Sequence, residues 1–396
     1  MGLQPENREK RRHAGLYIHV PFCVRKCPYC DFYSVTELQK LDAFLAALMQ
    51  EMDLVTPPGA LFDTIYMGGG TPSVLKGVQV LKILEGAHRR FAFTQDVEVT
   101  MEVNPDTVSF DTLTAFLNYG VNRVNIGIQS FDDRRLRFLG RLHSARKARG
   151  AIRLARKAGV ENLGLDLMYG LPYQSRKDWL SDLAEATCYE PEHLSCYMLT
   201  YEAGTLLDKW RKAGRFWPSS EDTVRDLFEV TIDFLGERGY EQYEISNFSR
   251  GNALRSRHNQ KYWSHSPYVG LGPSAHSFLG PTRWWNHRSL SDYLRALGDG
   301  ALPVEDREQL NPGQLMLESV FLGLRTADGI DMWGFKRRYD VDFLDHFGAL
   351  LERLEAQDLL SVSGDRCTLT MEGMMVADAI TGMFAEYVRT QDFVTL

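Results

Sequence analysis

Hydrophobic positions between residues 15 and 205 follow two alternating patterns. Short runs rich in branched and aromatic residues lie at 16–20, 64–67, 97–103, 123–128, 162–168 and 193–199. Amphipathic stretches separate them, at 41–54, 75–91, 110–117, 145–158 and 178–186. Because parallel strands need a long crossover, usually a helix, this alternation predicts β/α units in a curved parallel sheet. Six units, rather than eight, favour a partial (β/α)6 barrel.

The pattern changes after residue 205. A helix is predicted at 222–238, an irregular stretch rich in aromatic and His residues at 240–286, and helices at 313–325 and 341–357, with a hairpin turn around 364–365. The apolar face of the last helix comprises Phe343, Phe347, Leu350 and Leu354. The predicted fold class is therefore α/β: a partial barrel with an additional α+β region and a C-terminal helical, winged-helix-like unit.

This interpretation divides the chain into four parts. We expect a flexible polar arm at 1–14, the partial barrel at 15–205, an accessory region at 206–300 and an acidic winged-helix-like domain at 301–396. The last part holds 8 Lys/Arg against 17 Asp/Glu, whereas residues 1–300 hold 37 against 35. Since a surplus of carboxylates repels phosphate, nucleic acid is not expected as a partner.

Composition and apolar runs indicate a cytoplasmic protein. The 396 residues are 44% hydrophobic and 24% charged, as in ordinary globular proteins. No apolar stretch approaches the roughly 18–20 residues that a membrane helix requires, and no signal-peptide pattern precedes the first strand. Three of the six cysteines fall within eight residues. In a reducing compartment such a group favours metal binding over disulfides.

The cysteine segment carries the strongest chemical signal. Three residues separate Cys23 from Cys27, and two separate Cys27 from Cys30, directly after the first predicted strand. Three thiolates can hold three irons of a [4Fe-4S] cubane and leave the fourth iron open. The amino and carboxylate groups of S-adenosylmethionine can chelate that iron, which would then deliver one electron to the sulfonium. A structural zinc site is the alternative, but it would need a fourth ligand from elsewhere.

Polar residues at successive strand ends support this interpretation. The carboxyl ends of parallel strands meet at one rim, where active-site residues gather. After the second strand come Gly68, Gly69, Gly70 and Thr71, whose free N–H groups we expect to meet a ligand carboxylate. Buried polar residues without a partner are costly, so those that interrupt apolar strands should face a ligand. These residues are Glu102, Gln129 and Asp166.

These motifs resemble the radical S-adenosylmethionine superfamily, and more narrowly the branch that contains oxygen-independent coproporphyrinogen III oxidase and the HemW haem chaperones. The resemblance covers nearly the whole chain and implies a [4Fe-4S] cluster on Cys23, Cys27 and Cys30. It also implies an S-adenosylmethionine pocket lined by Tyr17, Tyr29, Gly69, Gly70, Thr71, Glu102, Gln129, Arg141 and Asp166.

Position 32 separates the two branches. The oxidase pattern has a fourth cysteine two places after the third, where this chain has Phe32, and a longer N-terminal extension. The chaperone branch resembles this chain at Phe32 and in the run from His258 to Trp263, which that family associates with haem. Imidazole is an iron ligand, and flanking aromatic rings suit a porphyrin. His258 is therefore the candidate haem residue, with His265, His276 and His287 as alternatives.

The resemblance implies a haem chaperone as the leading function. Its cofactors would be the cluster, S-adenosylmethionine and haem, and its partner a haem-accepting protein such as a respiratory enzyme at the membrane surface. The alternative is a radical oxidase acting on coproporphyrinogen III or another tetrapyrrole. A docking role for the acidic C-terminal unit and a homodimeric state stay open.

Overall fold

The computed structural model describes residues 13–57 and 59–390. Most of the predicted polar arm, 1–14, lies outside the described residues. Six parallel strands stand side by side in chain order, as predicted. They are β1 (Ala14–Val20), β2 (Leu61–Gly69), β3 (Ala92–Val103), β4 (Arg123–Gln129), β5 (Leu163–Tyr169) and β6 (His193–Met198).

Helices connect these strands, which confirms the predicted β/α alternation. They are α1 (Leu41–Leu54), α2 (Gly77–Arg90), α3 (Phe110–Asn118), α4 (Asp133–Phe138), α5 (Ala145–Ala158) and α6 (Arg176–Thr187). Helix α5 shows why they form. Ser144 caps its first turn by accepting from the Lys147 N–H, Ile152 lies on its buried face among small residues, and Gly159 ends it in the left-handed region. The helices thus cover the sheet and produce the partial barrel.

Strands from the following region extend the same sheet. After α7 (Leu206–Lys212) and α8 (Glu221–Gly236) come β7 (Glu241–Glu244), β8 (Asn247–Ser249), α9 (Arg257–Trp263), β9 (Tyr268–Leu271), β10 (His276–Leu279), β11 (Thr282–Asn286), α10 (Leu290–Gly298) and β12 (Val304–Gln309). The strand order is β12-β11-β10-β9-β1-β2-β3-β4-β5-β6-β8-β7. The prediction of an irregular stretch at 240–286 was wrong, because the strands there are short, and β8 and β9 pair with β6 and β1, which lie far from them in sequence. The proposed division at residues 206 and 301 stays a prediction, and neither point coincides with a break in the sheet.

The C-terminal unit has its own core. It contains α11 (Pro312–Leu324), β13 (Ile330–Asp331), α12 (Met332–Tyr339), α13 (Phe343–Glu355), β14 (Leu360–Ser363), β15 (Arg366–Leu369), α14 (Met371–Met375) and α15 (Ala377–Thr390). The predicted hairpin is β14–β15, and the predicted apolar face of α13 is buried. Among the helices of the described residues, none combines the length and apolarity that crossing a bilayer requires.

One buried carboxylate joins helix α1 to the strand extension. Glu51 is 1% exposed and accepts hydrogen bonds from the Tyr293 hydroxyl (2.6 Å), the Gly272 N–H (2.8 Å) and the Asn286 amide. Burial raises the pKa of Glu51 to about 7, against the opposing effect of its hydrogen bonds. Gly272 has φ +96°, and a Cβ there would lie 2.4 Å from the carbonyl oxygen of His19. This network therefore holds the β9–β10 loop against the end of β1.

Replacing Glu51 by Ala should destabilise the fold strongly. Three buried donors would lose their acceptor, and each unsatisfied group costs about 1–3 kcal/mol, so the free energy of unfolding should fall by roughly 3 kcal/mol or more. Urea unfolding near neutral pH measures this. The exposed Glu161→Ala is the matched control and should change the free energy of unfolding by less than about 0.5 kcal/mol. Equal effects of the two substitutions would contradict the role given to Glu51.

Candidate cofactor-binding site

The cysteine loop leaves the end of β1 and is closed by backbone hydrogen bonds. The Cys23 N–H donates to the Val35 carbonyl (2.9 Å), and the Val35 N–H donates to the Pro21 carbonyl (2.7 Å). Within the loop, the Cys30 N–H donates to the Cys27 carbonyl (3.1 Å). The base of the loop is thereby held to its own return segment. All three thiols line one large cavity at the carboxyl ends of the parallel strands.

The three sulfurs have polar neighbours. The Thr71 hydroxyl donates to Cys23 Sγ (3.4 Å), and Arg141 Nη1 lies 3.8 Å from Cys27 Sγ. Burial raises the pKa of the Cys23 thiol and raises that of Cys30 to about 11. These thiols therefore keep their protons near neutral pH, and metal binding would have to displace them.

The donor set fits a cluster better than a single ion. Across residues 13–57 and 59–390, no three His, Cys, Asp or Glu side chains converge in a way that could hold one metal ion. In a cubane, each thiolate binds a different iron, so the sulfurs need not converge on one point. Three thiols that line the cavity, with the half-buried Arg141 beside Cys27, suit an anionic iron–sulfur group.

The glycine-rich turn after β2 supports the cysteine loop. The Gly70 N–H donates to the Val20 carbonyl (2.9 Å), and the Thr71 N–H donates to the Phe22 carbonyl (2.8 Å). The expectation that these N–H groups are free for a ligand carboxylate was wrong, because the chain's own backbone accepts both. A Cβ at Gly70 would lie 2.7 Å from the Phe22 oxygen, so glycine is needed for this close approach.

Two half-buried carboxyl groups stand on strands β3 and β5, on either side of β4. Glu102 on β3 accepts from the Tyr66 hydroxyl (2.6 Å), and Asp166 on β5 accepts from the Asn125 amide (2.7 Å). Burial, together with the charge of Asp166, raises the pKa of Glu102 to about 7, while hydrogen bonds from Tyr66 and the Gly69 N–H oppose the shift. Burial likewise raises the pKa of Asp166 to about 6. Both carboxyls therefore change charge near physiological pH.

Gln129 reaches the cavity through a bulge at the end of β4. The pairing with β5 shifts between Gly127 and Gln129, and Gln129 has φ +69°, a backbone conformation uncommon outside glycine. Its side-chain oxygen accepts from the Tyr197 hydroxyl (2.6 Å). Arg141 donates to the Gly127 carbonyl (2.8 Å) and to the Asn104 side chain. The bulge thus positions an amide and a guanidinium side by side.

Two tyrosines predicted for the pocket occupy different surroundings. The Tyr17 hydroxyl is 3.0 Å from His19 Nδ1, and its ring stacks on Tyr66 with centroids 6.2 Å apart. Tyr29 is part of the cysteine loop and approaches Arg141, whose charge opposes the rise in the Tyr29 pKa that burial causes. Tyr29 therefore lies beside Arg141, close to the cysteines of the loop.

His258 is a buried part of the cavity wall. Its Nδ1 is 2.8 Å from the Thr64 hydroxyl oxygen, its Nε2 is 3.1 Å from the Tyr262 hydroxyl oxygen, and its ring stacks on Tyr66 at 5.0 Å. Burial lowers the pKa of His258 to about 3. Both ring nitrogens are hydrogen-bonded, so binding haem iron would require breaking one of these contacts. The geometry does not support the expected iron-ligand role.

One cavity of about 1110 Å³ collects every residue that the sequence assigned to cluster, S-adenosylmethionine or haem. Its lining also includes His276, one of the alternative haem histidines, and residues that the sequence analysis did not assign, namely Tyr66, Asn125, Tyr197, Tyr262, Tyr268, Trp285, Arg288 and Glu305. Tyr66 and Tyr197 lie on strands β2 and β6 near the predicted rim, so their place near the ends of parallel strands could have identified them as candidate site residues. Their hydrogen-bond partners could not have been predicted in this way, because they are distant in sequence.

Comparison with known proteins agrees with this geometry. Residues 17–186 match the radical SAM superfamily, and residues 310–376 match the HemN C-terminal domain. The chain is 32% identical over 372 residues to the heme chaperone HemW of Bacillus subtilis, covering 93% of this chain and 98% of that protein. It is 40% identical over 268 residues to the heme chaperone HemW of Escherichia coli, and the match covers 66% of this chain and 69% of that protein.

A solved structure shares the whole architecture. Coproporphyrinogen III oxidase (HemN) from Escherichia coli, a radical SAM enzyme, matches with a TM-score of 0.82 and 24% identity, covering 96% of this chain and 92% of that one. At this identity the match supports the fold, whereas the relatives above establish the family. The chain therefore belongs to the HemW heme chaperone family within the radical SAM superfamily.

Proposed function

We propose that this protein is a haem chaperone that binds haem and transfers it to an acceptor protein, while it carries a [4Fe-4S] cluster and an exchangeable S-adenosylmethionine. The observation that carries the proposal is the cavity of about 1110 Å³, which brings three cysteines, two half-buried carboxyls and a wall of aromatic rings together. Membership of a family whose curated relatives are named heme chaperones supports the same function.

Cys23, Cys27 and Cys30 would hold the cluster. When bound, such a cluster supplies an iron with an open coordination position and a source of one electron. The protein's own part is to place Thr71 and Arg141 beside the sulfurs, where they offset negative charge. The hydrogen bonds from Gly70 and Thr71 to the start of the loop keep that start in place against the end of β2.

S-adenosylmethionine would lie among the polar residues of the rim. Glu102 and Asp166 can accept from its amino or ribose hydroxyl groups, and Arg141 and Gln129 can bind its carboxylate and other polar atoms. Tyr17 and Tyr29 contribute apolar ring surface that suits an adenine. Since the ligand carries a positively charged sulfonium, an anionic Glu102 would attract it more strongly than a neutral one.

A respiratory enzyme as acceptor, a membrane-surface site of transfer and a homodimeric state stay predictions. Oxidation of coproporphyrinogen III, the alternative function, gains no specific support. Where the oxidase pattern has a fourth cysteine, this chain has Phe32, which is 69% exposed and lines the cavity mouth. An exposed apolar ring there suits contact with a flat ligand or a partner better than metal binding.

Cluster assembly should depend on the three cysteines of the loop and not on other thiols. We expect Cys27→Ser to lose most of the iron and sulfide incorporated on anaerobic reconstitution, because one iron would lack its thiolate. The exposed Cys188→Ser is the matched control and should incorporate as much as the parent protein. Iron and sulfide analysis with absorption spectra measures both. Full cluster content in Cys27→Ser would contradict the assignment.

S-adenosylmethionine binding should depend on the charge of Glu102. Because its carboxyl has a pKa of about 7, the affinity of the parent protein should rise as pH increases from about 6 to about 8. Glu102→Gln should bind about tenfold more weakly at the upper pH and show a smaller rise with pH, because only Asp166 would still gain charge. Calorimetry on reconstituted protein measures this, with the exposed Glu161→Gln as control. Unchanged affinity in Glu102→Gln would remove Glu102 from the proposed site.

The chaperone function predicts stoichiometric haem binding without oxidase turnover. Purified, reconstituted protein should bind one haem per chain in a spectroscopic titration. It should also restore the haem spectrum of a haem-depleted respiratory enzyme in membrane vesicles faster than free haem at equal concentration. Absence of haem binding would overturn the proposal. Anaerobic formation of protoporphyrinogen from coproporphyrinogen, with S-adenosylmethionine consumed, would favour the oxidase instead.

A further inference from the structure

The bulge at the end of β4 is held by two side chains of one turn. Gly127 and Gln129 pair with successive residues of β5, so Ile128 is the extra residue of the bulge. Arg141 Nη2 donates to the Gly127 carbonyl (2.8 Å), and His143 Nε2 lies 3.0 Å from the Ile128 carbonyl oxygen. Both side chains come from the turn between α4 and α5. This turn therefore contacts two successive carbonyl groups of the bulge.

The contact with Ile128 determines which nitrogen of His143 carries the proton. A carbonyl oxygen can only accept a hydrogen bond, so Nε2 is the donor. His143 is 3% exposed, and burial together with the charge of Arg141 lowers its pKa to about 4, against the opposing effect of its bond to Ile128. The imidazole is therefore neutral near physiological pH. Its Nδ1 lies 3.8 Å from Asp106 Oδ1, which is too far for a hydrogen bond.

The Ile128 carbonyl lies where the chain turns into Gln129. The Ser130 N–H donates to the same carbonyl (2.9 Å), and Gln129 has φ +69°. A residue other than glycine adopts this conformation at a cost, so the surrounding contacts have to stabilise it. The bond from His143 is one such contact. The Ser130 hydroxyl, which donates to Asp182 of α6 (2.7 Å), is another.

The turn between α4 and α5 is also fixed by contacts that do not involve the imidazole. A Cβ at Gly140 would collide with the Pro28 ring, so the turn packs directly on the cysteine loop. At the start of α5, the Ala145 N–H donates to Asp133 Oδ1 (2.6 Å). The turn should therefore keep its place when His143 is replaced, and the loss should fall on the bulge.

The bulge places two of the residues assigned to S-adenosylmethionine. A Cβ at Gly127 would lie 3.1 Å from Gln129 Nε2 and 3.3 Å from Arg141 Nη2, so the amide and the guanidinium converge there. Gln129 Oε1 also accepts from the Tyr197 hydroxyl (2.6 Å). Both Gln129 and Arg141 line the cavity, whereas His143 does not. A change in the bulge would move the Gln129 amide away from this position.

We propose that His143 is a positioning residue for S-adenosylmethionine: its hydrogen bond to the Ile128 carbonyl holds the β4 bulge in the conformation that places Gln129 at the cavity. This inference rests on the proposed S-adenosylmethionine site. It deepens that site by naming a residue that acts on the ligand through the backbone and not by contact.

Calorimetric titration of the full-length, reconstituted protein with S-adenosylmethionine tests this role. His143→Ala should bind about tenfold more weakly than the parent protein, because the Ile128 carbonyl loses a donor. His143→Gln should bind within about twofold of the parent, because its amide can place an N–H near the position of Nε2. His143→Asn reaches only to about the position of Nδ1 and should bind as weakly as His143→Ala. The exposed His88→Ala is the matched control and should bind like the parent.

A double-mutant cycle tests whether His143 acts through Gln129. In a Gln129→Ala background, His143→Ala should weaken binding by less than about threefold, because the amide that it positions is already gone. Fully additive losses would contradict the positioning role. Iron and sulfide analysis accompanies each titration, and the cluster content of the His143 variants should equal that of the parent.

The outcomes separate this inference from the proposed site. If the parent binds S-adenosylmethionine and His143→Ala binds it equally well, the inference is wrong and the site stands. If the Gln and Asn variants do not differ, the inference is also wrong, because both fill similar space. Should His143→Ala fail to fold, the comparison of these two variants decides the question. If the parent with a full cluster binds no S-adenosylmethionine, the proposed site fails, and the inference fails with it.

Discussion

The close backbone approach between the end of β1 and the glycine turn after β2 is the contact on which the site depends. Hydrogen bonds from Gly70 and Thr71 reach Val20 and Phe22, and glycine is required because a side chain would meet the Phe22 carbonyl. The same turn brings the Thr71 hydroxyl to Cys23. The parallel sheet determines only that the site lies at the carboxyl ends of its strands. This contact determines where along that edge the cysteine loop begins.

The parallel strands and their helices were predictable, because strands buried on both faces appear as continuous apolar runs. The cysteine loop was predictable because its ligands are close in sequence. Strands β7 to β12 were not, since they have only three to six residues, and β8 and β9 join the sheet through β6 and β1, which lie far from them in sequence. The Tyr66–Glu102 and Tyr197–Gln129 hydrogen bonds join residues 36 and 68 positions apart. The hydrophobic periodicity of single strands and helices does not predict contacts between residues so far apart in sequence.

Burial acts differently on the two halves of the cavity. In the half formed by β2 to β6, Glu102 and Asp166 are enclosed with partners, and burial raises their pKa values. In the half formed by β9 to β11, His276 is exposed and without a hydrogen-bond partner among the described residues. The first half is organised before a ligand arrives, which lowers the entropic cost of binding one. The second half presents polar groups that a ligand could bind reversibly.

Strand β12 closes one side of the sheet, and five of its six residues, including Glu305, Asp306 and Arg307, are exposed. Charged side chains along a terminal strand oppose the addition of a strand from another chain, a common route of protein association. An acceptor would therefore gain little by adding a strand at β12. In the proposed function, the mouth of the cavity, where the exposed Phe32 stands beside the cysteine loop, would instead serve both as the exit for haem and as the place where its recipient docks.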